Sequence, residues 1–201
     1  MKATKLVSLV ALAALALAGC TSSSADIDRS AYGLDANTPE IPAGVTYNPA
    51  DNEPVATPAI NGVTLEGEQV QTADFLNDKV TIIHFFGSWC TECLEAEEDF
   101  NVLREQYGDA LDFVYINGDT KFDETGTQVA DQEKAEQYIA YSGLKGVVII
   151  DGSLKTWSNY AVFEPPATGI ITADGKLTRL WLDGTSLENL QEKLAPLITQ
   201  P

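Results

Sequence analysis

Residues 80–93 read Val-Thr-Ile-Ile-His-Phe-Phe-Gly-Ser-Trp-Cys-Thr-Glu-Cys, an apolar run that is followed closely by two cysteines. Val80–Phe86 has the length and composition of a β-strand that is buried on both faces. Gly87 and Ser88 interrupt the run, and apolar residues then recur at helical spacing over residues 90–107. The stretch therefore predicts a central strand, a sharp turn and a helix, with the cysteine pair at the junction.

The position and spacing of the two cysteines indicate redox chemistry. Cys90 lies where helix amides and the positive end of the helix dipole stabilise a thiolate. Cys93 follows about one turn later, close enough to close a small disulfide. We interpret the pair as a reversible dithiol switch. Half of a zinc site and a structural disulfide are the alternatives; a zinc site normally needs four ligands, and the remaining candidates are His84 and Cys20.

At these residues the chain resembles a known family. Residues 80–93 resemble the active-site strand and motif of the thioredoxin superfamily, and residues 59–198 resemble its membrane-tethered, TlpA-like branch. Residues 164–172, which contain Pro166, and the turn at residues 173–176 fall where this family places its cis-proline strand and the following hairpin. The resemblance implies an α/β thioredoxin-like fold, with a mixed central sheet and helices on both faces.

The resemblance also implies roles for individual residues. Cys90, the more exposed thiol, is the expected nucleophile, and Cys93 is expected to resolve the mixed disulfide by attacking the Cys90 sulfur. Trp89 is expected to form an apolar wall beside the thiols, and Pro166 with Ala167 to bind the client chain. Ordinary packing of Trp89 and a Pro-Pro turn with no role in the site are the alternatives.

His84 is the only histidine and lies six residues before Cys90. Related thioredoxins have a buried Asp at the matching position, and many TlpA-like proteins have Asn. Because the unperturbed pKa of imidazole is about 6.5, His84 is a candidate acceptor for the Cys93 proton during exchange. The alternative is a core histidine whose ring is satisfied by a backbone carbonyl.

The helix departs from the TlpA-like pattern. That branch commonly has Glu three residues after the second cysteine and Pro two residues later, where this chain has Ala96 and Glu98. Glu95 and Glu97 are expected on other parts of the helix surface. The acidic residues oppose the helix dipole at Cys90, and a less stable thiolate makes the disulfide a weaker oxidant. We therefore predict a thiol pKa of about 7 and a reductant that a membrane partner supplies with electrons.

The N-terminus has the form of a secretory signal, with two lysines, an apolar segment over residues 6–18, and Gly before Cys20. The apolar segment is shorter than the roughly 20 residues of a membrane-spanning helix. Residues 17–20 resemble the bacterial lipoprotein cleavage box, which implies a lipid on Cys20 and stable attachment to a membrane. Ordinary signal cleavage with an incidental Cys20 is the alternative.

The remaining chain divides into a tether and one domain. Residues 20–58 hold five of the nine prolines and few large apolar residues, so we predict a flexible tether, with docking of residues 44–58 as the alternative. Residues 59–201 have the usual size of a single domain. In it we predict a hairpin over residues 60–71, a strand over Leu111–Asn117, a polar loop over residues 118–131 and a closing helix over residues 186–198.

Composition excludes some functions. The formal net charge is −18 at pH 7, and removal of residues 1–19 with their two lysines leaves −20, so nucleic acid is not an expected partner. We expect a monomeric, lipid-anchored extracytoplasmic thiol-disulfide oxidoreductase that acts on cysteine-containing envelope proteins without a cofactor or metal. The alternatives are an oxidase or isomerase, a copper chaperone, a peroxiredoxin-like peroxidase and an interaction module with an idle site.

Overall fold

The computed structural model describes residues 54–75 and 78–198, in which strands and helices alternate. The strands are β1 (Val55–Ala56), β2 (Asn61–Val63), β3 (Gln69–Gln71), β4 (Val80–Phe86), β5 (Leu111–Asn117), β6 (Thr120–Phe122), β7 (Gln128–Ala130), β8 (Val147–Ile150), β9 (Ala167–Ile171) and β10 (Lys176–Trp181). The α-helices are α1 (Glu92–Tyr107), α2 (Gln132–Ser142), α3 (Lys155–Asn159) and α4 (Leu187–Leu194).

Strand β4 organises the sheet because all seven of its residues are buried. It runs parallel to β5 and antiparallel to β9, and the sheet order is β1-β10-β9-β4-β5-β8-β2-β3. Ile82 and Phe86 pack with residues of α1, α2 and α4, whereas Ile83 and Phe85 pack with Trp157 of α3 on the other face. This alternation follows the two-residue period of a strand. The predicted fold class, a mixed sheet with helices on both faces, is confirmed.

The turn after β4, which contains the first of the two cysteines, and the segment before β9, which carries Pro166, lie at the same edge of the sheet. The C-terminal ends of β4 and β5 lie side by side, with Phe86 paired to Asn117. The N-terminal end of β9 reaches the same edge, where Ala167 is paired to Phe85. The turn after β4 and the segment before β9 are therefore neighbours, although about eighty residues of sequence separate them.

The structure differs from the sequence prediction at four places. Strand β1 precedes residue 59 and pairs with β10, so the sheet includes residues that the prediction places in the tether. Strands β6 and β7 form a hairpin within the predicted loop. Helix α1 begins at Glu92 rather than Cys90, because the Cys90 amide donates to the carbonyl of Gly87. Helix α4 is shorter than predicted, although Ser186 caps it as its sequence suggests.

The hairpin of β6 and β7 was not predicted from the sequence, because the contacts that stabilise its turn are polar and leave no apolar pattern. The Asp123 carboxylate accepts hydrogen bonds from the amides of Thr125 and Thr127, which closes the turn without an apolar pattern. The predicted signal, lipidated Cys20 and most of the predicted tether lie outside the described residues. In the part of the chain that is described, no helix is both long enough and apolar enough to span a bilayer.

Candidate active site

Cys90 and Cys93 form a disulfide at the start of α1, with their Cα atoms 5.4 Å apart. From the sequence we expected Cys90 to be the more exposed thiol. The two residues are 4% and 3% exposed, so exposure does not distinguish them. Their hydrogen bonds do distinguish them. The Cys93 amide points at the Cys90 sulfur at 3.1 Å, whereas the Cys93 sulfur lies 4.0 Å from the carbonyl oxygen of Phe85. An amide that donates to sulfur stabilises a thiolate, which favours Cys90 as the more acidic thiol.

Trp89 forms an exposed apolar surface directly before the disulfide. Its side chain is 59% exposed, although it lies against the backbone of Gly87. A Cβ atom at residue 87 would come within 2.5 Å of the indole ring. Gly87 is therefore needed for this position of the ring.

Pro166 lies at the same edge of the sheet as the turn that carries the disulfide, and the peptide bond between Pro165 and Pro166 is cis. The carbonyl of Pro166 accepts a hydrogen bond of 3.0 Å from the amide of Gly184, which ties the segment to the loop after β10. Ala167 is fully buried and paired with Phe85, so Pro166 is the more accessible of the two predicted client contacts.

A groove beside Pro166 carries negative charge. It is lined by acidic residues of α1 and of the loop after β10, namely Glu92, Glu95, Glu98, Asp99 and Asp183. The other lining residues are uncharged. Carboxylates concentrated in a concave surface repel acidic segments of an approaching chain. The groove therefore disfavours the binding of acidic segments.

His84 is buried on the face of β4 that packs against α1, the helix that begins at the disulfide. Its Nδ1 shares a hydrogen bond of 2.9 Å with the Thr168 hydroxyl, and its ring meets the Phe100 ring edge to face. Nε2 has no hydrogen-bond partner among the described residues. Burial lowers the pKa of His84 to about 3. The imidazole is therefore neutral near pH 7, and its partner is a threonine hydroxyl rather than a backbone carbonyl.

Because His84 is buried and neutral, its protonation makes the free energy of unfolding depend on pH in acid. Below pH 6.5 the unfolded chain binds a proton that the folded chain does not bind until about pH 3, so the free energy of unfolding falls as the pH falls through this window. At pH 5 the loss amounts to about 2 kcal/mol. We expect His84→Asn to remove this dependence in urea unfolding at pH 5 and pH 7.5. An unchanged pH dependence in the variant would contradict the buried neutral imidazole.

Glu97 is the site residue that the sequence prediction misplaced, because it points into the protein. Its side chain is buried, and its two oxygens accept hydrogen bonds of 2.6 Å from Arg104 and from the Tyr115 hydroxyl. Arg104 also donates to the carbonyl of Lys145. A signal was present in the sequence: residues 93, 97, 100 and 104 share one helix face, so an opposite charge pair interrupts an apolar stripe.

A narrow pocket joins these buried groups behind the disulfide. Its walls include Cys93, His84, Glu97 and Tyr138. Burial, together with the nearby carboxylates of Glu97 and Asp119, raises the pKa of Tyr138 to about 12. The pocket therefore contains a neutral imidazole, a neutral phenol and an ion-paired carboxylate on the inner side of Cys93. Within the described residues, no group of three or more His, Cys, Asp or Glu side chains is arranged to hold a metal ion.

Comparison with known proteins finds similar sequences among thiol-disulfide redox proteins. The chain is 27% identical to the thiol-disulfide oxidoreductase ResA of Bacillus thuringiensis, over 66% of this chain and 72% of the relative. It is 25% identical to the thiol:disulfide interchange protein CycY of Rhizobium leguminosarum, over 80% of this chain and 77% of the relative.

Solved structures share the fold. A thiol-disulfide oxidoreductase from Bacteroides fragilis superposes with a TM-score of 0.59 at 21% identity and covers 72% of this chain and 100% of its own. The AhpC/TSA family model matches residues 55–180 and so includes strand β1, the disulfide and Pro166. This chain therefore belongs to the AhpC/TSA family of thioredoxin-like proteins, among which its relatives are TlpA-like thiol-disulfide oxidoreductases.

Proposed function

We propose that this protein is an extracytoplasmic thiol-disulfide oxidoreductase that reduces disulfides in client proteins of the bacterial envelope. The observation that carries the proposal is the Cys90–Cys93 disulfide at the start of α1, with the Cys93 amide 3.1 Å from the Cys90 sulfur. Similar sequences are named as a thiol-disulfide oxidoreductase and as a thiol:disulfide interchange protein, which supports the reaction class. Cysteine-containing envelope proteins are the proposed clients.

In the proposed reaction, the reduced protein transfers two electrons to a client disulfide. The Cys90 thiolate attacks one client sulfur, forms a mixed disulfide and releases the other client sulfur as a thiolate. Cys93 loses its proton and attacks the Cys90 sulfur, which forms the Cys90–Cys93 disulfide and releases the client as a dithiol. Trp89 and Pro166 are the proposed client contacts, because both lie at the edge of the sheet that carries the disulfide.

His84 is the proposed acceptor for the Cys93 proton. In the tautomer whose Nδ1–H donates to the Thr168 hydroxyl, Nε2 is unprotonated and can accept a proton. Nε2 has no hydrogen-bond partner among the described residues, and the His84 and Cys93 side chains line the same pocket. A pKa of about 3 makes the ring a weak base, so the proton would be held only briefly. We expect His84→Asn to slow exchange between pH 5 and 8, where the wild-type imidazole is neutral; unchanged kinetics would make His84 structural.

The proposed direction of electron flow rests on the charges around Cys90. Glu92 and Glu95 lie in the first turn of α1, where they disfavour a Cys90 thiolate and oppose the helix dipole. Glu97 is paired with Arg104 and adds little to this effect. A membrane protein is the proposed source of electrons for re-reduction of the disulfide.

We also propose that a lipid on Cys20 holds the mature protein, as a monomer, on the outer side of the cell membrane. The support is the signal-like segment and the cleavage box at residues 17–20. We expect Cys20→Ala to release the protein from membranes or to leave it unprocessed. Mass spectrometry of the wild-type protein should find an acylated Cys20, and an unmodified mature N-terminus at another residue would refute the anchor.

Reduction of insulin disulfides with dithiothreitol as electron source tests the proposed reaction. We expect catalytic turnover by the wild-type protein and none by Cys90→Ser, with equal folding of both verified by circular dichroism. Peroxide consumption is measured in parallel with the same two proteins. Consumption of peroxide without reduction of insulin would replace the proposal with a peroxidase.

A further inference from the structure

The turn that carries Cys90 is hydrogen-bonded to the buried carboxylate of Asp119, which lies in the loop after β5. Asp119 is 1% exposed and follows β5 by two residues. Its Oδ2 accepts a hydrogen bond of 3.0 Å from the Ser88 amide, and its Oδ1 accepts one of 2.6 Å from the Ser88 hydroxyl. A third donor, Asn117 Nδ2, lies 2.7 Å from Oδ2. One side chain therefore fixes both the backbone and the side chain of Ser88.

Asp119 is itself held rigidly. Its amide donates to the side-chain oxygen of Asn117 at 3.0 Å, and its carbonyl accepts from the amide of Asp131 at 2.8 Å. The amide of Gly118 donates to the carbonyl of Phe86, at the end of β4. These bonds connect the loop after β5 to the turn after β4, so the position of Ser88 is set by the sheet.

The three groups that donate to the carboxylate are neutral, so hydrogen bonds rather than a salt bridge satisfy it. Ser88 and Cys90 are two residues apart, which places their Cα atoms no more than about 8 Å from each other. Both Asp119 and Cys90 are buried, which weakens screening by water and salt. A unit charge about 10 Å away, at an effective dielectric constant of about 20, changes an acid dissociation constant roughly tenfold.

We propose that Asp119 is a positioning residue for the dithiol, which fixes the turn before Cys90 and whose negative charge makes the Cys90 thiolate less stable. This inference rests on the proposed function and explains part of its direction. A less stable thiolate lowers the stability of the dithiol form relative to the disulfide, which makes the protein a better electron donor. The exposed acids of α1 act in the same direction from the solvent side.

Equilibration with glutathione tests the charge. Two glutathione thiols reduce the Cys90–Cys93 disulfide to a dithiol and form one glutathione disulfide. We expect Asp119→Asn to raise this equilibrium constant about tenfold at pH 8, which corresponds to about 30 mV. Alkylation of Cys90 as a function of pH should show a lower thiol pKa in the same variant. A purely structural anchor would destabilise both redox forms and leave the equilibrium unchanged.

The matched controls separate charge from anchoring. Asp109→Asn makes the same change at an exposed position after α1 and should leave the equilibrium within twofold of wild type. Ser88→Ala keeps the charge but removes one donor, so the equilibrium should also stay within twofold. Amide hydrogen exchange of residues 87–90 should nevertheless become faster in Ser88→Ala. If Asp119→Asn does not fold, Asp119→Ser is measured instead, because Ser is neutral and smaller.

The outcomes bear on separate claims. An equilibrium constant within twofold of wild type in the Asp119 variant, beside a wild-type protein that reduces insulin, would overturn the inference about charge alone. Unchanged hydrogen exchange in Ser88→Ala would overturn the inference about anchoring. A wild-type protein that cannot reduce insulin would instead contradict the proposed function.

Discussion

Cells that produce Cys93→Ser should accumulate mixed disulfides between Cys90 and client proteins, whereas Cys90→Ser should accumulate none. The reason is the order of the two steps, since Cys93 is needed only to release the client from Cys90. Both variants should lose all catalytic reduction of insulin. Non-reducing gels after rapid acid quenching, followed by mass spectrometry of the trapped species, measure the difference.

The double variant Cys90→Ser/Cys93→Ser is the control for disulfides that form by chance, and it should trap nothing. Equal trapping by the two single variants would contradict the assignment of Cys90 as nucleophile. Trapping by Cys90→Ser alone would reverse the roles. Either result would also mean that the contact between the Cys93 amide and the Cys90 sulfur does not decide which thiol reacts first.

Glu97→Ala should lower the free energy of unfolding by about 2–4 kcal/mol, because it leaves a partly buried guanidinium and a buried phenol without their acceptor. The Arg104 side chain is 18% exposed, and it keeps bonds to Asn101 and to the carbonyl of Lys145. Its guanidinium also lies 4.2 Å from the centre of the Phe113 ring. These contacts limit the loss, which urea unfolding at pH 7.5 measures.

Two variants make the comparison specific. Glu97→Gln keeps the volume and one acceptor, so its loss should be smaller than that of Glu97→Ala. Glu95→Ala removes an exposed acid from the same helix and should change stability by less than about 0.5 kcal/mol. A loss below this value for Glu97→Ala would show that the cluster of Glu97, Arg104 and Tyr115 does not stabilise the domain.

The sequence was informative where local pattern and tertiary environment agree. Val80–Phe86 is apolar throughout and is buried on both faces, so its period and its place in the sheet could be predicted together. Cys90 and Cys93 lie at the predicted junction and form the disulfide that their spacing allows. The segment with Pro166 reaches the same edge, which required knowledge of the family rather than of the residues alone.

Polar contacts between distant elements were not predictable. Asp119 belongs to a stretch predicted as a polar loop, and only the sheet register brings it to Ser88. Glu97 was expected on the helix surface, but Arg104 two turns later and Tyr115 on β5 hydrogen-bond its carboxylate inside the protein. His84 was correctly placed in a buried strand, but the strong desolvation of its ring depends on Phe100 and other tertiary neighbours.

Titration of the Cys90–Cys93 pair against defined ratios of reduced and oxidised glutathione tests the central claim, that the protein is a reductant. The account predicts a reversible two-electron couple with a potential nearer to about −270 mV than to about −120 mV. Alkylation of the free thiols and mass spectrometry of the full chain report the reduced fraction at each ratio. A value above about −180 mV would contradict the account and make the protein an oxidase or isomerase.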